Sequence, residues 1–131
     1  MKLTLESLSQ WLDRYFKAWK TNDPDQVAGL FTEDAVYYYG PFQEPARGRR
    51  HIVERWVADP QQQTDIRTSF EPLAVNGQMG IAHWQAAFRS AGQPLVETRM
   101  DGILVLHFDE QLRCKEHREW YVREDVRASQ Q

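Results

Sequence analysis

The sequence has little cysteine, no long apolar run and no leader-like start. Cys114 is the only cysteine among 131 residues, so an internal disulfide is excluded, which is typical of proteins in reducing compartments. Residues 1–7 lack the apolar core of a signal peptide, and no stretch approaches the roughly 20 apolar residues that span a membrane. We therefore expect a cytoplasmic protein without a membrane partner.

A strong charge of either sign is also missing. The formal net charge is −3, with 16 basic and 19 acidic residues. A nucleic-acid partner requires a concentrated basic surface, so we expect none. Gly-rich phosphate loops and nucleophile-elbow motifs are absent as well, and we expect no cofactor.

Aromatic residues are abundant. Five tryptophans and five tyrosines accompany an apolar content of 41%, a value typical of globular proteins. Large side chains with a polar tip suit small-molecule cavities and interfaces equally well. The length predicts one domain over residues 1–131, with its core at about 5–122.

Helices are predicted mainly in the first half of the chain. Apolar residues recur every three or four positions from Leu5 to Trp19, which predicts an amphipathic helix capped by Thr4 or Ser7. Asp23 and Pro24 predict the start of a short second helix. A third helix is predicted from about Gly48 to Asp59.

Strands and turns fill the remainder. A short strand is predicted at 35–39 after a turn at 32–34, and longer strands at 66–75 and 79–89. Turns are predicted at 76–77 and 90–94, and the tail from Arg123 is expected to fray. Three helices and a long antiparallel sheet predict an α+β fold.

The last hairpin carries most of the ionisable candidates. Its arms are Glu97–His107 and Leu112–Val122, and a loop at 109–111 would place Asp101 opposite Glu119. Five polar groups then share one sheet face: Arg99, Asp101, His117, Glu119 and Tyr121. Two facing carboxylates repel each other when both are ionised, so the pKa of one is expected to rise.

This pattern favours acid/base chemistry. Asp101, Glu119 and His117, with His83 from the preceding strand, are candidate proton donors and acceptors. The alternative is a charge network that only satisfies buried groups. Candidate ligand-binding residues are Arg99, Tyr121 and the aromatic side chains Tyr37, Tyr39, Phe42, Trp56 and Trp84. His83, His117 and Glu119 could converge, but no ligand motif supports a metal site, and none is expected.

Several motifs resemble the SnoaL-like branch of the nuclear transport factor 2-like superfamily. They are the run from Arg14 to Val36, Gly48-Arg-Arg-His-Ile-Val with Trp56, Asp101-Gly-Ile-Leu-Val-Leu-His-Phe-Asp-Glu, and His117-Arg-Glu-Trp-Tyr. The resemblance implies a cone-shaped α+β domain, three helices packed into a curved antiparallel sheet, a pocket at the wide end and frequent dimers. Its members include isomerases, cyclases, epoxide hydrolases, dehydratases and non-catalytic binding domains.

Individual sites can be compared within this resemblance. Similarity to ketosteroid isomerases places Tyr15 at their oxyanion-hole tyrosine and Asp101 at their protonated aspartic acid. On that basis the raised pKa is assigned to Asp101. Their general-base aspartate falls near Tyr39, which is a poor base at neutral pH. Similarity to limonene epoxide hydrolases places Glu119 near an acidic residue, while their arginine falls near His83.

Two functions remain open. One is a cofactor-independent isomerase, cyclase, dehydratase or hydrolase acting on a hydrophobic small molecule. The other is a non-catalytic ligand-binding or assembly domain with the same pocket. A homodimer is expected in either case, because four apolar residues are predicted on the outer sheet face: Met100, Leu104, Leu106 and Trp120.

Overall fold

Local sequence signals start the first two helices. In α1 (Leu5–Thr21), the Thr4 hydroxyl accepts a hydrogen bond from the backbone N–H of Ser7 at 3.0 Å. The Ser7 hydroxyl in turn accepts one from the backbone N–H of Thr4 at 2.8 Å. This reciprocal capping box selects Thr4 of the two predicted caps. Asp23 caps α2 (Pro24–Ala28), as predicted.

The computed structural model describes residues 1–58, 63–90 and 96–127. The remaining elements are, in chain order, β1 (Phe31–Tyr38), β2 (Ala46–Arg47), α3 (Arg49–Ala58), β3 (Gln63–Asn76), β4 (Met79–Ser90), β5 (Val96–Phe108) and β6 (Cys114–Arg127). They form one six-stranded sheet in the order β2-β1-β6-β5-β4-β3. All pairs are antiparallel except β1 with β6, so the sheet is mixed. The predicted α+β class is confirmed.

The sheet curves around the helices. In β3 the pairing register shifts between Thr64 and Arg67 and again between Pro72 and Ala74. Such bulges bend a strand and increase its twist. α1 contacts β3, and α3 contacts β1, so the helices fill one face of the curved sheet.

The direction of the β5 side chains differs from the prediction. Leu104 and Leu106 are fully buried against the helices, and Met100 shares their side of the strand. Of the four residues predicted on the outer sheet face, only Trp120 lies there, and 44% of its surface is exposed. The outer face carries Ile103 and Val105 instead, because residues of a strand alternate between faces.

Some predicted boundaries also change. β1 begins at Phe31 and therefore includes the predicted turn at 32–34. β6 pairs with β5 as far as Arg127, so the expected fraying does not start at Arg123. Residues 91–94 of one predicted turn and the predicted end of the third helix at 59–60 lie outside the described residues. Within the described chain, no helix combines the length and apolarity needed to cross a membrane.

Candidate functional site

The register of the β5–β6 hairpin decides which ionisable groups meet. Glu119 lies opposite Leu104, and His117 lies opposite Leu106. Asp101 is opposite Val122, so the predicted pairing of Asp101 with Glu119 is wrong.

A longer loop and a bulge cause this difference. The Asp109 carboxylate accepts hydrogen bonds from the backbone N–H groups of Gln111 and Arg113, both at 2.9 Å. Leu112 adopts a positive φ of 60° in the same loop. Next to it, His107 pairs with Glu116 while Phe108 pairs with Cys114, which leaves one extra residue in β6. An odd change in register transfers a side chain to the opposite face.

Asp101 therefore lies on the outer face, away from Glu119. Its carboxylate accepts a hydrogen bond from Gln85 at 2.9 Å and lies 2.7 Å from His83 Nε2. These contacts, Gln85 first, lower the pKa of Asp101, so the assignment of the raised pKa to this residue is wrong. Arg99 pairs with Glu97 at 3.6 Å and, with Asp101, borders a second depression of about 630 Å³.

A cavity of about 330 Å³ opens between α1, α3 and the concave sheet face. Tyr15 and Glu119 line it, together with five of the predicted ligand-binding residues: Tyr37, Tyr39, Trp56, Trp84 and Tyr121. Phe42 does not, because its side chain is fully exposed in the loop after β1. The sequence interpretation missed further lining residues, among them Trp19, Ile66, Phe88 and Met100.

Gly102 makes room for two of these side chains. A Cβ at this position would lie 2.9 Å from Trp84 Nε1 and 2.7 Å from Tyr121 Cβ. Any larger residue would displace the cavity wall, so this glycine is part of the site.

Glu119 is the buried acid of the cavity. Only 8% of its surface is exposed, and no lysine or arginine of the described chain lies within ion-pair distance. Burial raises the pKa of Glu119 to about 8, opposed by hydrogen bonding from Tyr37. The carboxyl group is therefore mainly protonated at neutral pH.

His117 lies beside Glu119 without forming an ion pair. Its Nδ1 is 3.8 Å from Glu119 Oε1, a distance compatible with ion pairing if both groups are charged. Burial, however, lowers the pKa of His117 to about 3, so the imidazole is neutral. Both neighbours thus remain uncharged near pH 7.

Two tyrosines extend this group of neutral side chains. Tyr15 Oη lies 3.0 Å from His117 Nε2 and 2.7 Å from Tyr37 Oη. The ring of Tyr37 stacks on His117 with a centroid distance of 3.7 Å. Burial raises the pKa of both tyrosines, so their hydroxyls stay protonated and can donate hydrogen bonds.

Three buried polar atoms have no hydrogen-bond partner in the described chain around this site: Tyr39 Oη, Trp84 Nε1 and His117 Nδ1. Tyr39 and Trp84 line the cavity, so two hydrogen-bond donors without a partner lie in its wall. His83 lies on the opposite sheet face from His117 and Glu119 and cannot share a metal ion with them. The described residues contain no cluster of three potential metal ligands.

Comparisons with known proteins agree with this architecture. The SnoaL-like domain model matches residues 12–117. The crystal structure of a candidate SnoaL-like polyketide cyclase from Shewanella denitrificans OS-217 aligns with a TM-score of 0.74 at 17% identity, covering 87% of this chain and 89% of that one. Comparison with curated protein sequences gives no match. At this identity the structural likeness establishes the fold alone.

The buried acid predicts a specific pH dependence of stability. Burial raises the pKa of Glu119 to about 8 in the folded protein, against an ordinary value of 4.5, so folding favours the protonated form. The contribution of protonated Glu119 to the free energy of unfolding is complete below about pH 4.5. It is lost as the pH rises through about 8, a loss of roughly 3–5 kcal/mol. Urea unfolding of Glu119→Gln between pH 5 and 9 should lack this loss.

Glu116→Gln is the matched control, since Glu116 lies on the outer face of the same strand beside Arg118. It should keep the wild-type pH dependence. If the free energies of unfolding of wild type and Glu119→Gln changed equally with pH, the raised pKa of Glu119 would be contradicted.

Proposed function

Because this chain belongs to the SnoaL-like domain family, we propose that it is a cofactor-independent acid/base enzyme acting on a hydrophobic small molecule. The observation that carries this proposal is the buried Glu119 carboxyl group, without a lysine or arginine partner in the described chain, in the wall of an aromatic cavity. A carboxyl group with a pKa near the working pH can both give and take a proton.

The neighbouring groups suit proton transfer at a carbonyl compound or epoxide. Protonated Glu119 donates its proton to the ligand oxygen, and the carboxylate then takes a proton from carbon. The unpartnered Tyr39 Oη and Trp84 Nε1 in the cavity wall are candidate hydrogen-bond donors to the same ligand oxygen. Isomerisation, cyclisation and dehydration use both proton transfers. Epoxide hydrolysis uses the first, while a water molecule forms the new C–O bond and gives its proton to the Glu119 carboxylate.

A non-catalytic ligand-binding or assembly domain is the alternative, and one observation favours it. Glu119 is the only carboxyl group among the described residues that line the cavity. Neutral His117 and the two high-pKa tyrosines exchange protons poorly near pH 7. A second acid/base group would then have to come from the ligand.

Elimination of 5-nitrobenzisoxazole distinguishes these functions, because a desolvated carboxylate removes its carbon-bound proton. The wild-type rate should rise with pH to half its maximum near pH 8, as Glu119 ionises. Glu119→Gln should lower the plateau by about 100-fold or more, whereas Glu116→Gln should not.

The competing result is equally clear. If wild type and Glu119→Gln react at the same rate while the apolar probe N-phenyl-1-naphthylamine still binds, the protein is a binding domain.

We also propose a cytoplasmic homodimer that forms through the outer sheet face. The strand register places Ile81 beside Val105, and Ile103 beside Trp120. Trp120 and Val122 are 44% and 72% exposed, so the apolar patch is open to a partner. A two-fold axis would bring this patch against its own copy.

Sedimentation velocity tests this assembly. Wild type should be a dimer at micromolar concentration, and Trp120→Arg should be a monomer because it buries a charge in the interface. Phe42→Arg is the control, since it changes a fully exposed aromatic residue outside the sheet. A monomeric wild type, or a dimeric Trp120→Arg, would contradict the proposal.

A further inference from the structure

Three basic side chains lie at the mouth of the cavity: Lys20, Arg55 and Arg123. All three are exposed, whereas Glu119 lies in the buried wall. We propose that the cavity binds ligands with an apolar ring-containing body and an anionic group, such as a carboxylate or sulfonate, held at this mouth. The inference rests on the proposed function and names its ligand class.

The three cations come from separate elements, α1, α3 and β6, so the fold brings them to one opening. A run of charge along one helix would instead indicate an ordinary solvated face. Convergence from three elements concentrates positive potential at a single cavity mouth.

Arg55 is positioned by neutral groups. Its guanidinium lies 4.0 Å from the centroid of the Tyr39 ring and donates to Glu44 O at 3.3 Å and Gln43 Oε1 at 3.4 Å. No described carboxylate lies within ion-pair distance of it. The side chain is therefore oriented beside the cavity while its charge remains available to a ligand.

The other two cations differ in their pairing. Arg123 Nε lies 3.1 Å from the Asp125 carboxylate, which also accepts a hydrogen bond from Thr98 at 2.7 Å. Lys20 has no carboxylate within ion-pair distance in the described chain. The mouth thus keeps an excess of positive charge after this internal pair is counted.

The groups that line the cavity interior do not repel an anion. Its only described carboxyl group, Glu119, is mainly protonated at neutral pH, and the wall includes Trp19, Trp56 and Trp84. An apolar body gains contact with these rings, and an anionic end gains Coulomb attraction at the mouth. Because the mouth is exposed to water, this attraction should be modest and sensitive to salt.

A matched pair of fluorescent probes tests the proposal. 1-Anilinonaphthalene-8-sulfonate carries a sulfonate on the same ring system as neutral N-phenyl-1-naphthylamine. The wild type should bind the sulfonate about five- to tenfold more tightly at low salt, and the preference should shrink in high salt. Mutual displacement shows that both probes occupy one site.

Arg55→Gln should weaken sulfonate binding about threefold and leave the neutral probe unchanged. Arg118→Gln is the matched control: its guanidinium also lies 4.0 Å from a tyrosine ring, that of Tyr38, but on the outer face. It should alter neither affinity. The combination of Lys20→Gln, Arg55→Gln and Arg123→Gln should abolish the preference.

Equal affinities in wild type, or a preference that survives both high salt and Arg55→Gln, would overturn the inference. The wild-type affinities and the Arg55→Gln measurement test the inference even if the triple variant fails to fold. Binding of neither probe would overturn the proposed function as well. A sulfonate preference without 5-nitrobenzisoxazole turnover would uphold the ligand class and remove only the catalytic role.

Discussion

Burial of Glu119 without a cationic partner is the constraint on which the chemistry of the site depends. An ionised carboxylate inside an aromatic wall is costly unless a positive charge compensates it. The nearest base, His117, lies 3.8 Å away and is itself kept neutral by burial. The protein resolves this conflict by keeping the proton on Glu119, and the hydroxyls of Tyr15 and Tyr37 complete a neutral polar cluster.

Solvent exposure separates this cluster from a second one of similar composition. His83 and Asp101 form a closer contact, 2.7 Å, but they lie on the outer sheet face. There, hydrogen bonds and water favour the carboxylate, and the pKa of Asp101 falls, whereas that of Glu119 rises. The two carboxyl groups thus suit different roles: a proton donor inside and an ionised, hydrogen-bonded surface carboxylate outside. In the proposed ligand class, the cations at the cavity mouth would hold the charged end of a ligand away from Glu119.

The sequence predicts the fold better than the site. Helix periodicity, the caps at Thr4 and Asp23 and the family motifs indicate the α+β class and most elements correctly. The prediction of which side chains of the last hairpin face the cavity is wrong, because this depends on the loop length and on one bulge near His107. Both faces of β5 carry aliphatic residues, so its hydrophobic pattern cannot fix the register. The candidates Tyr37 and Trp84 lie on strands outside the hairpin, and both line the cavity. Asp101 and His83 lie on the outer sheet face and do not.

The most direct test is a carbon-13 NMR titration of glutamate carboxyl groups, with Glu119→Gln used to assign the resonance. A single glutamate should titrate with a midpoint near pH 8 and be missing from the variant. That result would establish a buried proton donor in the cavity. If Glu119 instead titrates near its ordinary value of 4.5, the carboxyl group is ionised at neutral pH and the acid/base account is contradicted.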